Sequence, residues 1–327
     1  MKDPIITNNI LNWYDINKRS LPWRKNVSQT KKEYFTLVSE FMLQQTQVAT
    51  VIPYFKKFIK NIPDLEKLAT FDDQKLVKIW EGLGYYSRVR NLKKTAQVII
   101  KDFNKNIPCN FLELKSLPGI GDYTASAISA IAFNKPYIPL DGNIERVLKR
   151  FLYLKKEHQI TKENLHEEKK IFGLTTRSSD YAQALMELGA LICKPNNPNC
   201  DQCPISSKCI SFKKKDFVLN KIKKKNKDKY YLLKVFKKNQ KYLLIKNTEF
   251  NFLKNFDIFP MQEIIKPKNF NKDLNIKLSN MNMNIKIEYN NKAKSVTTPN
   301  WIDPKNLHNY TLPTFTKKIV NYLENHK

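Results

Sequence analysis

The spacing of apolar residues changes once along this chain of 327 residues, near residue 212. Before that point, apolar side chains recur at three- and four-residue intervals, which predicts helices without a competing strand pattern. The predicted helices are 33–49, 64–69, 73–81, 88–102, 123–133, 143–154, 163–172 and 179–191. After it, short runs rich in Tyr, Leu, Ile and Val predict strands. The sequence therefore predicts a multidomain chain, with an all-α domain followed by a small α+β domain.

Composition places the boundary between these domains. The helical domain covers 1–212, and the segment 213–229 contains nine Lys against two Asp, which predicts a solvated linker. The second domain, 230–327, opens on a predicted hairpin, because two apolar runs flank Lys237-Lys238-Asn239-Gln240. Its predicted strands are 230–236, 241–247, 256–259, 274–278 and 283–289, and a helix follows Leu312-Pro313.

Four of the five cysteines lie in one short segment, called here the cassette: Cys193, Cys200, Cys203 and Cys209, spaced C-x6-C-x2-C-x5-C. Four thiolates so close together can enclose an iron–sulfur cluster or a zinc ion. The N-terminus lacks the pattern of a signal peptide, so we expect a cytoplasmic protein whose thiols bind metal rather than form disulfides. Cys109 lies far upstream and is expected to be a bystander.

The formal net charge of +28 predicts a polyanionic partner, and nucleic acid is the first candidate. An AT-rich coding sequence would also give abundant Lys and Asn and little Gly, so charge supports this interpretation without deciding it. No apolar run approaches the roughly 18 residues that a membrane span needs, so no membrane partner is expected.

Glycine is scarce, with seven residues, all before the cassette. We expect these glycines where the backbone needs positive φ or where another group approaches it closely, which makes 82–84, 119–121 and 142 candidate sites. Gly119-Ile120-Gly121 joins two predicted helices. A Gly-x-Gly turn that opens a helix directs several backbone N–H groups at an anion such as a phosphate. A lone turn of this kind is weak evidence, because a plain helix connection has the same pattern.

Longer patterns around this turn resemble a known family. LPGIG-x-x-TA, Asp141 twenty residues beyond Gly121, and the cassette together resemble the helix-hairpin-helix DNA glycosylases that carry a [4Fe–4S] cluster. The resemblance covers residues 1 to about 212. It implies double-stranded DNA as the partner, gripped by the hairpin with one base flipped out. A nucleoid-associated protein is therefore expected.

The same resemblance implies two helical lobes with the active site in the cleft between them. One lobe is a six-helix barrel, roughly 26–136. The other joins 1–25 to 137–212 and holds the cluster.

Two positions distinguish the members of this family. Bifunctional members resembling endonuclease III carry a Lys at the second residue after the hairpin, where its amine forms a Schiff base; here Tyr123 stands there. VSEFMLQQTQVATVIPYF, at 38–55, closely resembles the adenine DNA glycosylases, with Glu40 at the position of their catalytic acid. Further matching segments are LPWR at 21–24, WEGLGYYSRVRNL at 80–92 and YAQALMELGALIC at 181–193.

The resemblance implies a monofunctional enzyme that removes adenine mispaired with 8-oxoguanine, or with guanine, in base excision repair. Two alternatives stay open from the residues: a bifunctional glycosylase of the endonuclease III type, and a non-catalytic iron–sulfur protein that binds DNA.

Three residues are predicted to be catalytic. Glu40 lies in an apolar helix, where desolvation raises its pKa and keeps a proton available for adenine N7. Asp141 precedes a helix start, where N–H donors and the helix dipole favour its ionised form, suited to stabilising an oxocarbenium-like sugar. Tyr123 is expected to donate a hydrogen bond near Asp141 and the sugar. Without the resemblance, a solvated glutamate and a simple helix cap would be the preferred interpretations.

The resemblance also assigns contacts to DNA and to the flipped base. Gln45 is expected to enter the duplex, with Tyr85 beside the orphan base, and Gln183 to pair with an edge of adenine. The remaining residues are Leu43, lining the site, Arg24, supporting the pocket or Glu40, Asn143, holding water or a phosphate, and Gly119 and Gly121 of the hairpin. Core packing is the alternative for Leu43 and Tyr85.

The second domain resembles, more weakly, the Nudix-like C-terminal domain of the same family, which recognises 8-oxoguanine. WIDPKNLHNYTLPTFTKKIV is the best match, and the domain lacks Gly and clustered Glu, so recognition rather than hydrolysis is expected. Leu278-Ser279-Asn280 stands where the family has Phe-Ser-His, with Ser279 and Asn280 as the candidate contacts. The strength of any 8-oxoguanine preference stays open. A monomer is expected, because one chain supplies every site.

Overall fold

The computed structural model describes residues 4–155, 161–219, 226–290 and 299–326. The chain forms two compact units. The first contains Met1–Asp72 and Ser87–Lys221, and the second contains Asp73–Tyr86 and Ile222–Lys327. Within the described ranges, no helix combines the length and the apolar character needed to cross a membrane.

The described residues form thirteen α-helices. They are α1 Pro4–Asn17, α2 Gln29–Leu43, α3 Val48–Asn61, α4 Leu65–Thr70, α5 Asp73–Trp80, α6 Ser87–Asp102, α7 Phe111–Ser116, α8 Asp122–Phe133, α9 Gly142–Phe151, α10 Lys162–Glu168, α11 Ser178–Glu187, α12 Ile210–Lys213 and α13 Thr314–Asn325. A 3-10 turn, Lys169–Phe172, follows α10, and a π-helical turn, Leu188–Ile192, extends α11. The predicted all-α character of the first domain is confirmed.

One predicted helix is wrong in its second half. The apolar spacing predicts a single helix over 33–49, but α2 ends at Leu43 and α3 begins at Val48. Gln45 has a φ of 55°, in the left-handed region, which a continuous helix does not allow. Four helices, α1, α3, α7 and α12, were not among the predicted segments, although the buried residues of α1 and α3 follow the same helical spacing.

Helix α2 lies at the centre of the first unit. Its residues 34–42 are all buried, and it packs against α3 and α8. Helix α8 presents small buried residues, including Ala125, Ala127 and Ala130, which permit close approach of the two backbones. A separate apolar cluster joins α1 to α9 and α11, with Ile10, Ile144 and Leu185 fully buried.

The second unit contains eight described strands. They are β1 Lys227–Val235, β2 Lys237–Lys238, β3 Lys241–Lys246, β4 Asp257–Ile258, β5 Met261–Ile264, β6 Leu274–Leu278, β7 Met281–Tyr289 and β8 Asn300–Ile302. One sheet has the order β5-β1-β7-β6, with β1 parallel to β7 and antiparallel to β5. The other has the order β2-β3-β4, with β8 also paired to β3. Helix α13 packs on the shared core through Ile319 and Leu323, which confirms an α+β unit.

The predicted hairpin is correct at its turn and wrong in one arm. Asn239 and Gln240 both have positive φ, and β2 pairs with β3 across them. The longer run before the turn, β1, instead pairs with β5 and β7 in the other sheet. It does so because Tyr231, Leu233 and Val235 alternate into the core.

The predicted linker, 213–229, is only partly within the described residues, since 220–225 lie outside them. Strand β1 begins at Lys227, inside the predicted linker. At the other end, Asp216 accepts hydrogen bonds from the Tyr153 hydroxyl, at 2.7 Å, and Lys155 Nζ, at 2.9 Å. The start of this segment is therefore bound to the first unit rather than solvated.

Segment 73–86 belongs to the second unit although it lies among helices of the first in sequence. Lys317 Nζ, on α13, lies 2.6 Å from Glu81 Oε1. The rings of Tyr86 and Phe256 have their centroids 4.4 Å apart.

Only some glycines meet the expectation of positive φ or close approach. Gly119 has a φ of 79°, and an added Cβ would lie 2.8 Å from Asn91 Cβ. An added Cβ at Gly189 would lie 2.6 Å from Asn143 Cβ. The expectation is wrong for Gly121 and Gly142, which have neither positive φ nor a neighbour within 4 Å of an added Cβ.

The two glycines of the hairpin, Gly119 and Gly121, make a matched test of stability. Gly119→Ala is expected to lower the free energy of unfolding by about 2 kcal/mol, because the new methyl group meets Asn91 and the backbone conformation disfavours an L side chain. Gly121→Ala should change it by less than about 1 kcal/mol, because its surroundings are open. Urea unfolding followed by circular dichroism measures both, and equal losses would contradict this account.

Candidate active site

Eight of the predicted residues line one cleft of about 1540 Å³ in the first unit. They are Arg24, Glu40, Leu43, Gln45, Tyr123, Asp141, Asn143 and Gln183. Gly119 and Gly121 lie in the hairpin between α7 and α8 and do not line the cleft. Tyr85, Ser279 and Asn280 belong to the second unit.

Glu40 is buried in the middle of α2, with 4% of its surface exposed. Burial raises the pKa of its carboxyl to about 7. A hydrogen bond from the Tyr123 hydroxyl, 3.0 Å from Oε2, opposes this rise. The charge of Asp141 raises the pKa and that of Arg24 lowers it. The predicted direction of the shift and its main cause, desolvation, are therefore present.

Tyr123 occupies the first turn of α8, two residues after the hairpin. Its hydroxyl donates to Glu40, and the expected hydrogen bond near Asp141 and the sugar stays a prediction. Burial, together with the charges of Glu40 and Asp141, holds its pKa well above the ordinary value. The phenol is therefore neutral at physiological pH and serves as a hydrogen-bond donor.

Asp141 caps the start of α9. Its Oδ1 accepts from Asn143 N at 3.0 Å and Ile144 N at 2.7 Å, and its Oδ2 accepts from Asn143 Nδ2 at 2.9 Å. The predicted donors are thus present. Burial nevertheless outweighs these bonds and raises the pKa of Asp141. The sequence predicted the donors, which favour the ionised carboxylate, but not the desolvation that opposes them.

Asn143 has both ends of its amide bound within the protein. Its oxygen accepts from Arg146 Nη2 at 2.8 Å, which leaves its Nδ2 to donate to Asp141. Arg146 also donates to the carbonyls of Gly189, at 2.8 Å, and Cys193, at 2.7 Å. Asn143 therefore orients Asp141, and its expected role in holding water or a phosphate stays a prediction. Arg146 itself was not predicted from the sequence.

A second buried carboxylate, Glu187, was also missed. Its side chain is fully buried and pairs with Arg19 Nε at 2.7 Å and Arg24 Nη1 at 2.6 Å. Arg24 thus contacts Glu187 directly and affects Glu40 only through its charge. The Nε of Arg24 is buried without a hydrogen-bond partner among the described residues. The sequence signal that could have identified Glu187 is its position as a charged residue within the apolar run of α11.

Arg88 stabilises the C-terminal end of α2. Arg88 is buried and donates to the carbonyls of Phe41, Met42 and Gln44, at 3.2, 2.7 and 2.6 Å. These bonds satisfy carbonyl groups that a helix leaves unpaired at its end. Gln45, which follows, is exposed and has positive φ.

Gln183 is buried on α11, and its Nε2 donates to Ser179 O, one turn earlier, at 3.1 Å. In the second unit, Tyr85 is 47% exposed and has a φ of 46°. Ser279 and Asn280 form the two-residue turn that joins β6 to β7. Ser279 has a φ of 55°.

The cassette contains four free, partly buried thiols. Burial raises the pKa of Cys203 to about 12, and the charges of the other three cysteines act in the same direction. Among the described residues, no group of three or more Cys, His, Asp or Glu is placed so that it could hold a metal ion. The type of donor nevertheless fits, because four free cysteines in one short segment are the donor set of an iron–sulfur cluster.

Comparisons with known proteins identify the family. The family model HhH-GPD, described as "HhH-GPD superfamily base excision DNA repair protein", matches residues 38–171. The adenine DNA glycosylase of Buchnera aphidicola subsp. Schizaphis graminum is 34% identical over 342 residues, which cover 95% of this chain and 96% of that protein. The adenine DNA glycosylase of Rattus norvegicus is 40% identical over 208 residues, which cover 62% of this chain and 40% of that protein.

Two solved structures share the fold. A thermostable thymine-DNA glycosylase matches with a TM-score of 0.56 and 26% identity, over 64% of this chain and 96% of that one. A trapped endonuclease III–DNA covalent intermediate matches with a TM-score of 0.53 and 21% identity, over 65% and 96%. The second likeness concerns the fold alone. Since the chain spans nearly the whole of a curated relative at 34% identity, it belongs to the adenine DNA glycosylases of the HhH-GPD superfamily.

Proposed function

We propose that this adenine DNA glycosylase is monofunctional, acts as a monomer on adenine opposite 8-oxoguanine or guanine, and uses Glu40 as its general acid. The removal of adenine in base excision repair follows from the family to which the chain belongs. The observation that carries the mechanism is the buried carboxyl of Glu40, whose pKa is about 7, in the same cleft as Asp141.

Breaking the N-glycosidic bond needs a proton on the leaving base and stabilisation of a positively charged sugar. With a pKa of about 7, Glu40 carries its proton in about half of the molecules at neutral pH and can deliver it to adenine N7. The bond between the sugar and the base then breaks with its electron pair on the base. Asp141, held by three N–H donors, stabilises the sugar cation directly or through a transient covalent adduct.

Recognition of the flipped base is assigned to the wall of the cleft formed by α11 and the LPWR segment. Gln183 offers its amide to an edge of adenine. Arg24 keeps one N–H group without a partner among the described residues, while its other contacts fix it to Glu187. A buried donor of this kind is satisfied when a polar ligand enters.

The monofunctional assignment is supported by the residue at the position of the lyase amine. Tyr123 has no amine, and its hydroxyl is bound to Glu40. A neutral phenol that donates a hydrogen bond cannot form a Schiff base with the sugar. The catalytic step therefore ends with water, not with strand cleavage.

Contacts with the duplex are assigned to the hairpin, to Gln45 and Tyr85, and to the β6–β7 turn. The open surroundings of Gly121 leave room for a phosphate beside the N–H groups at the start of α8. Gln45 enters the base stack, and Tyr85 contacts the orphan base. Ser279 and Asn280, on the exposed β6–β7 turn, are proposed to recognise 8-oxoguanine through the Nudix-like domain 230–327.

The four cysteines of the cassette are proposed to hold a [4Fe–4S] cluster. When bound, the cluster supplies an anionic cross-link and no open metal position for hydrolysis, because all four ligands are thiolates. Cys193 directly follows the helical segment that carries Gln183 and Glu187, so a cluster held by the cassette would stabilise this wall of the cleft.

Glu40→Gln is expected to slow adenine release by at least about a hundredfold, because the amide cannot supply a proton. Single-turnover assays on a duplex with adenine opposite 8-oxoguanine measure this, and a binding assay on the same duplex should show unchanged affinity. Glu33→Gln, on the same helix but partly exposed, is the control and should react as wild type does.

Borohydride added to the wild-type reaction should trap no adduct, and trapping would favour the bifunctional alternative.

The pH dependence of the single-turnover rate provides a second test. The reaction needs protonated Glu40, so the rate should fall by about tenfold per pH unit above its pKa of about 7. The hydrogen bond from Tyr123 stabilises the carboxylate and lowers this pKa. Tyr123→Phe should therefore raise the pKa and move the falling limb to higher pH. A limb that stays in place, or moves to lower pH, would contradict the proposed role of the bond.

The cofactor is tested by chemical analysis of the purified chain. Wild-type protein should contain iron and inorganic sulfide in equal amounts and show visible charge-transfer absorption. Cys203→Ser should lose both, whereas Cys109→Ser, at an exposed position outside the cassette, should keep them. Retention of the full iron content by the Cys203 variant would contradict the assigned ligand set.

A further inference from the structure

Arg150 is a buried cation beside the cassette. It lies on α9, one turn after Arg146, and only 4% of its surface is exposed. Its Nη1 donates to Cys193 Sγ at 3.4 Å and to Lys194 O at 2.6 Å. Its Nη2 donates to Pro195 O at 2.8 Å. The guanidinium therefore organises the first three residues of the cassette.

The fourth contact of Arg150 reaches a distant part of the chain. Its Nε donates to the carbonyl of Phe217 at 3.0 Å. Phe217 follows Asp216, which is itself held by Tyr153 and Lys155. The segment 216–219 of the Lys-rich linker is thus attached to the region of α9, and Arg150 contacts both this segment and a cysteine of the cassette.

In the described part of the chain, the acceptors bound by the Arg150 guanidinium are three backbone carbonyls and one cysteine sulfur, and none of them is a carboxylate. An arginine stays protonated in proteins, and a buried cation without a counter-charge is strongly unfavourable. Backbone carbonyls satisfy its N–H groups but carry no net charge. Cys193 Sγ is the one acceptor among its contacts that can become an anion. The geometry therefore assigns the counter-charge of Arg150 to the cassette.

We propose that Arg150 is a positioning residue that couples the charge of the cassette to the attachment of segment 216–219. The proposal rests on the [4Fe–4S] assignment made above. With the cluster bound, its thiolate ligands neutralise the guanidinium and hold it where it also binds Phe217. Without the cluster, Arg150 is a buried cation with no counter-charge; it leaves this position, and the segment loses one of its anchors.

The test compares Arg150→Met and Arg150→Lys with a matched control, Arg177→Met. Arg177 is also an arginine of the first unit, but its ion pairs with Asp15 and Asp180 are exposed. Hydrogen–deuterium exchange of a peptide covering 210–219 reports the attachment of the segment. Iron content and the rate of iron loss to a chelator report the cluster. A peptide covering α2 is the internal reference for global unfolding.

The Arg150→Met protein should lose iron to the chelator, and exchange the 210–219 amides, about tenfold faster than wild type, because charge-assisted hydrogen bonds are lost. The same peptide should exchange faster in wild-type protein stripped of iron, while the α2 peptide stays unchanged. Arg177→Met should match wild type in every measurement. If Arg150→Met does not fold, Arg150→Lys decides. It keeps the charge, but its single ammonium group cannot bind both Phe217 O and the cassette acceptors that Nη1 and Nη2 contact in wild type. Iron removal should therefore no longer change the exchange of its 210–219 peptide, and a change as large as in wild type would contradict the coupling.

Two failures can be told apart. Wild-type protein without iron would overturn the cofactor assignment itself. Wild-type protein that holds the cluster, but whose 210–219 peptide exchanges equally fast when loaded, stripped or substituted at Arg150, would overturn the coupling and leave the cofactor intact.

Discussion

The burial of one ionisable carboxyl, that of Glu40, is the constraint on which the rest of the first unit depends. A carboxyl group enclosed by apolar side chains keeps its proton to higher pH, because the anion loses its hydration there. This requires a central helix with buried residues on every side, and α2 meets that requirement over 34–42. The small residues of α8 allow the second helix to come close enough for Tyr123 to reach the carboxyl.

The two acidic groups of the cleft share burial and differ in their hydrogen bonds. Glu40 receives one side-chain donor, whereas Asp141 receives three N–H donors at the start of a helix. Burial raises the pKa of both, and the additional donors oppose the rise at Asp141. Two carboxyls in one cleft can therefore take different roles, one as the acid and the other as the stabilising anion, because their local donors differ.

Local patterns in the sequence predicted most of the helices and the turn at Asn239-Gln240, whereas the residues of the cleft came from the resemblance to a known family. Features that depend on distant partners were not predictable in the same way. The end of α2 at Leu43 is stabilised by Arg88, which lies far along the chain. The sheet that contains β1 depends on its pairing with β7, and the buried ion pairs of Glu187 depend on arginines near the N-terminus. The catalytic roles of Glu40, Tyr123 and Asp141 stay predictions, supported by their meeting in one cleft.

The distribution of left-handed backbone positions explains why so few glycines suffice. Five asparagines of the described chain have positive φ: Asn104, Asn134, Asn197, Asn239 and Asn255. Asparagine tolerates this conformation better than most residues, so it can replace glycine wherever only φ matters. It cannot do so at Gly189, where any side chain would collide with Asn143 and displace the group that orients Asp141. A genome drifting towards AT-rich codons can thus exchange glycine for asparagine in loops, but not at this contact behind the active site.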